Sequence, residues 1–176
     1  VRRYLIFLPS VVLGMIGAIW LFFRPFLYEP RVSLLFLILT AVALVILLLG
    51  AAWLLEKTLA SFRYASSLLE QALSRFHITL PFALALAALS AVSEELFFRG
   101  ALLPILGVWG QAILFGLMHP MPRRALIYTV FTAAAGLCFG YATLLTGSLY
   151  PAIAAHFVIN LQGFLELRKK QLISRH

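Results

Sequence analysis

The residues of this chain with chemistry to offer sit in its most apolar surroundings. Residues 89–103 read LSAVSEELFFRGALL, which puts Glu94, Glu95 and Arg99 inside an otherwise apolar run. Each such charge costs about 2.5–3.5 kcal/mol at the centre of a membrane helix, so three within six positions require pairing, neutralisation or water. Glu95 and Arg99 stand four apart on one helical face, and an ion pair accounts for both. Glu94 points about 100° away and is left over. Two further polar groups interrupt apolar sequence downstream: His119, ending Phe115-Gly-Leu-Met-His119, and the pair His156 and Asn160. The i,i+4 spacing of that pair aims both side chains from one face of the last helix. His119 precedes Pro120, which disfavours helical geometry and sets it at the end of its segment.

A carboxylate with two imidazoles and an amide can polarise water and donate hydrogen bonds to an oxyanion, the two needs of hydrolytic acyl transfer. The same Glu and His residues could ligate a divalent metal instead, although no HExxH helix exists and the ligands would come from three separate helices. Spacing leaves both open. An intramembrane His also serves as a helix-to-helix hydrogen-bond partner. Ser93 is a conceivable nucleophile, but it lies in no GxSxG turn.

The elements that carry these groups follow from composition. Of 176 residues, 63% are apolar and 11% charged, against about 45–50% and about 25% in soluble domains. A chain this small cannot hide that much apolar surface in a core, so its solvent is lipid. The expected fold is an all-α, polytopic transmembrane helix bundle in one domain, 1–176, with the motif-bearing core at about 79–165. Apolar runs approaching the roughly 20 residues of a spanning helix fall at 4–23, 32–55, 79–103, 126–145 and 149–165. A sixth run, 107–118, is short enough to be a half-span. Between Lys57 and Phe76, Leu59, Phe62, Leu69, Leu73 and Phe76 share one face opposite mostly polar residues, which marks an interfacial amphipathic helix. No internal repeat is evident. Arg2 and Arg3 precede the first run as in a secretion signal, but no small-x-small site follows, so it reads as an anchoring span. Cys138 has no partner cysteine and reads as packing.

The 14 Lys and Arg residues outnumber 6 Glu, and there is no Asp. With six crossings and Arg2 and Arg3 inside, Lys57, Arg63, Arg75, Arg123, Arg124, Arg168, Lys169, Lys170 and Arg175 fall on the same side, and Arg24, Arg31 and Arg99 on the other. The positive-inside rule then puts both termini in the cytoplasm, with the cell membrane as the location. The basic residues meet lipid headgroups, not nucleic acid.

Depth ties the polar groups together. If 79–103 is one helix, Glu94 sits near its middle. A half-span entering from the outer side then leaves His119 at mid-depth, and His156 is central in the last span. Irregular backbone around Pro120 and Pro122 is tolerable where it lines a cavity, and Arg123 and Arg124 open that cavity to the cytoplasm. Gly136 and Gly140 form a GxxxG step whose partner, in this chain or another, is left open.

These residues resemble the CAAX protease and bacteriocin-processing membrane proteases, a family that includes the prenyl-protein endopeptidases. Its motifs EExxxR, FxxxH and HxxxN stand here as Glu94-Glu95-Leu-Phe-Phe-Arg99, Phe115 to His119 and His156 to Asn160, in order. Phe98-Arg99-Gly100 and Thr146-Gly147-Ser148-Leu149 are similar to the family as well, so the resemblance covers about 85–163. It implies an intramembrane endopeptidase in which Glu94 activates a water, His119 holds and polarises it, and His156 with Asn160 stabilises the oxyanion. Glu95 and Arg99 would support the site. The implied mechanism is of the glutamate type, with no cofactor; a metal-dependent variant is the less favoured form. The implied partners are membrane lipid and a peptide or protein substrate, lipidated or otherwise membrane-associated. The chain is more compact than the eukaryotic prenyl endopeptidases. Two other classes stand beside this reading: a non-catalytic membrane immunity or scaffold protein, which would be marked by loss of a motif residue, and a proton-coupled transporter. The two halves lack the corresponding interrupted segments that a transporter would show.

Overall fold

The computed structural model describes residues 3–24 and 32–173, and all the regular structure among them is helical. After a 3-10 turn, α1 runs Leu8–Phe23, α2 Leu34–Thr58 and α3 Ala60–Ser74. Next, α4 covers Leu80–Glu95 and passes without a break through a π-helical stretch, Leu96–Leu102, into α5, Leu103–Leu117. The bundle ends with α6, Leu126–Thr146, and α7, Tyr150–Ile173. Local chemistry sets several boundaries. Ser33 caps α2 by accepting from the Phe36 amide, and Thr79 caps α4 by accepting from the Phe82 amide. Gly147 closes α6 in the left-handed conformation, φ 65°, which glycine adopts without a Cβ penalty.

Polarity is inverted relative to a soluble fold. Leu34, Ile46, Trp53, Trp109 and Leu145 stand on the surface, while Glu95, Arg99, Gln111, Thr143 and His156 lie in the interior. Lipid makes the outer face cheap for leucine, and the interior is the place where polar groups find partners. The chain is therefore an integral membrane protein. Among the described residues, four stretches are long and apolar enough to cross a membrane: Leu5–Phe23, Leu34–Thr58, Leu80–Leu117 and Arg123–Thr146. The expected run 149–165 opens α7, but His156, Asn160 and Gln162 dilute its apolar content, and it lies against α2 and α4 instead of qualifying by composition alone.

The expected separation between 79–103 and the half-span is a kink inside one helical track. At Gly107, φ 66° and ψ 179° break the helix in a region open in practice only to glycine. Residues 108–117 beyond it form the half-span. They run antiparallel to α6, because Ala112 abuts Gly136, and Ala133 with the Thr129 carbonyl abuts Gly116. A Cβ on Gly136 would lie 3.0 Å from Ala112 Cα, and one on Gly116 would lie 2.7 Å from Ala133 Cβ. The Gly136–Gly140 step is thus filled from within the chain by α5, with Gln111 against Gly140.

The interfacial helix is α3. Phe62 and Ala65 are buried, Phe62 against Tyr128 and Phe131 of α6. Leu59, expected on the buried face, is exposed, because it is the extended residue between α2 and α3 and belongs to neither helix. α3 also gathers basic ends. Arg63 donates to the Glu56 and Lys57 carbonyls, and Lys170 of α7 pairs with Glu70. Arg2, Arg31 and Arg175, used in the charge count above, lie outside the described residues. The first helix lies across α4 and the π-helical stretch. A Cβ on Gly14 would come 2.8 Å from Ser93 Oγ and one on Gly17 would come 3.0 Å from the Phe97 nitrogen. Ser93 is buried beneath α1 at this crossing.

Candidate active site

Arg99 and Glu95 are both fully buried, and Arg99 Nη1 donates to Glu95 Oε1 at 2.9 Å. The wide π-helical turn that holds Arg99 is a form that recurs at functional sites. Its second arm, Nη2, reaches the Gly136 carbonyl on α6 at 3.3 Å. Three rings surround the guanidinium, with centroids 4.4 Å (Phe115), 5.0 Å (Phe139) and 5.8 Å (Phe98) away. This box of π-faces stabilises a cation that has given up its water. The expected i,i+4 pair is therefore present, and it links α4, α5 and α6.

Glu95 Oε1 accepts a second bond, from His156 Nδ1 at 2.8 Å. The imidazole of His156 stacks on Phe139, 5.4 Å between centroids and 16° between planes, and meets the edge of Phe115. Its ring has one orientation available. Nδ1 carries the hydrogen that Glu95 accepts, and Nε2 points at Glu94 Oε2, 3.8 Å away. His119 is held in the same manner. Its Nδ1 donates to the Phe115 carbonyl at 2.8 Å, Thr129 Oγ1 of α6 donates to the His119 carbonyl at 2.9 Å, and His119 Nε2 lies 3.9 Å from the same Glu94 oxygen. Two imidazole Nε2 atoms thus converge on one carboxylate oxygen across gaps too long for direct hydrogen bonds. Glu94 Oε2 has no hydrogen-bond partner.

Asn160, one turn beyond His156 on α7, donates from Nδ2 to Ser90 Oγ at 2.9 Å. Ser90 stands one turn before Glu94 on α4, so the amide lies on the same seam as the carboxylate. Glu94, His119 and His156 come together, from α4, the end of α5 and α7, while Asn160 joins α4 at Ser90, and the Glu95–Arg99 pair lies directly behind His156. Glu94, His119 and Asn160 are half-buried, and His119 is more open than Glu94.

Two contributors escape sequence reasoning. Gln111 is fully buried and donates to the Gly136 carbonyl at 2.9 Å, sharing that acceptor with Arg99. Its visible signal was a lone amide inside the apolar half-span. Ser90 is the other; its signal was the i,i+4 relation to Glu94. Among the described residues no three His, Cys, Asp or Glu side chains are grouped so as to hold a metal ion.

Residues 76–162 match the family model for type II CAAX prenyl endopeptidase Rce1-like proteins. Over that stretch, a little under half its length, the chain is similar to the Rce1-like core. That core runs from just before α4 to just past Asn160, so it contains every site residue above and leaves α1, α2 and α3 outside. An uncharacterized Bacillus subtilis protein, YpbD, is 28% identical over 82 residues, which is 47% of this chain and 43% of that protein. The chain thus matches less than half the length of this curated relative. No solved structure matches the chain.

Proposed function

We propose that this protein is an intramembrane endopeptidase in which Glu94 activates a water for attack on a peptide bond. The convergence of His119 Nε2 and His156 Nε2 on Glu94 Oε2, at 3.9 and 3.8 Å, carries the reading. A water seated beside these three atoms can hydrogen-bond to each of them. Glu94 takes the proton of that water as it attacks the carbonyl carbon, and the lone pair on His119 Nε2 accepts from the same water and orients it. The developing oxyanion meets His156 and Asn160. With Nδ1 already donating to Glu95, His156 donates from Nε2 only when it carries both protons. The Glu95 carboxylate lies against that charge, so two carboxylates are balanced by an imidazolium and a guanidinium. Glu94 then returns its proton to the leaving amine. No step needs a cofactor.

The substrate is a peptide or protein segment that reaches the bundle from the membrane, in keeping with the Rce1-like core, whose family description names prenyl endopeptidases. The gathering of Arg63, Lys170 and the neighbouring basic residues at the α3 end supports a cytoplasmic position for that end and for both termini in the cell membrane. The deciding experiment compares wild type with Glu94→Gln in proteoliposomes containing a quenched-fluorescence peptide library. Glu94→Gln lowers turnover by at least two orders of magnitude, and wild-type activity survives chelation and is not raised by added zinc. Undiminished cleavage by the variant removes Glu94 as the base, and loss of activity on chelation with recovery on zinc replaces the mechanism with a metal-dependent one.

A further inference from the structure

We infer that Ser90 is a positioning residue that holds the Asn160 amide with its NH2 side toward the reaction. The inference rests on the reading of Asn160 as an oxyanion donor. An Asn side chain presents an acceptor and a donor group that exchange places on a half-turn about its last bond. Only one of these orientations stabilises an oxyanion; the other points Oδ1 at it and repels. Asn160 therefore needs something that distinguishes its two ends.

Ser90 supplies the distinction. It is buried, 7% exposed, on the face of α4 that carries Glu94 one turn later. Its single hydroxyl hydrogen goes to the Ala87 carbonyl, 3.2 Å away. What remains on Oγ is lone pairs, which can accept but not donate. The 2.9 Å contact with Asn160 consequently selects Nδ2 over Oδ1. Nδ2 has two N–H bonds, so one is used on Ser90 and the other is free for the substrate oxygen. Ser90 touches neither water nor substrate in this scheme and acts through Asn160.

The test is a double-mutant cycle on the full-length protein in proteoliposomes, using the library peptide that wild type cleaves fastest. Ser90→Ala lowers kcat about three- to tenfold, the worth of one neutral hydrogen bond, and leaves KM unchanged. Asn160→Ala lowers kcat about 10²–10³-fold, as loss of an oxyanion donor does. Adding Ser90→Ala to Asn160→Ala costs nothing further, because there is no amide left to orient. Ser90→Cys fills nearly the same space with a weak acceptor and matches Ser90→Ala in kcat with unaltered thermal stability, which covers the case in which the alanine variant does not fold. Wild-type kcat in both Ser90 variants overturns the inference while a defective Asn160→Ala leaves the hydrolytic reading standing. An equal loss from Ser90→Ala in both backgrounds means that Ser90 acts without the Asn160 amide and also overturns it. Full turnover by Asn160→Ala refutes the oxyanion role itself.

Discussion

Arg99 shows what a buried charge in lipid has to satisfy. One arm neutralises Glu95, the other caps a carbonyl of α6, and three rings cover its faces. Removing it leaves Glu95 fully buried beside a single histidine. Arg99→Ala should therefore lower unfolding stability in detergent by about 3–5 kcal/mol, as loss of one member of a buried pair does. Arg99→Lys should recover only part of that stability, since a compact ammonium lacks the planar fork that serves Glu95 and Gly136 together. Thermal unfolding of the purified variants checks both. Equal stability of wild type and Arg99→Ala would mean that the guanidinium is incidental to the fold. Glu94 differs from Glu95 in this respect. Its neighbours stop short of hydrogen bonding, so its environment suits a group that changes its bonding during a reaction.

At the scale of elements, the half-span is the part that makes the site. It brings His119 into the bundle from the end of α5, and it is seated by small residues where its backbone meets α6. Val at 116 would place side-chain carbon against Ala133 Cβ and the Thr129 carbonyl, next to the threonine that holds the His119 backbone. Gly116→Val should cost about 1–3 kcal/mol, the usual penalty of overpacking, and should lower turnover as well by displacing His119. Gly50 provides the control, since nothing lies within 4 Å of a Cβ built there. Gly50→Val should leave both melting temperature and activity close to wild type. Loss of stability at 50 but not at 116 would contradict the antiparallel α5–α6 seating.

For the whole molecule, the arrangement is a lipid-facing apolar shell around a polar seam. Lys57, Arg63 and Lys170 lie where α3 joins the ends of α2 and α7, and that asymmetry is the basis for assigning sidedness. In a Cys138→Ser background, a single cysteine replacing the exposed Lys169 should react with a membrane-impermeant thiol reagent only after cells are permeabilised. One replacing Ser33, at the opposite end of α2, should react in intact cells. The reverse labelling pattern would invert the bundle and with it the side from which substrate arrives.

The amino-acid sequence by itself determined the solvent, the helical class and the half-span, and it singled out Glu94, His119, His156 and Asn160 as candidates, because hydropathy and helical spacing are local properties written along the chain. EExxxR guaranteed that Glu95 and Arg99 could meet, since four residues is one turn. What faces each helix was not legible in the same way. In lipid every apolar face is equally at home, so periodicity marks no buried side, and the choice of α6 as the partner of 108–117, or of α1 as the cover over Ser93, was made by backbone fit at Gly116, Gly136, Gly14 and Gly17. Likewise the union of Asn160 with Ser90 and of His156 with Glu95 joins residues 70 and 61 positions apart. Only the packing of α4 against α7 could bring those pairs within hydrogen-bonding distance.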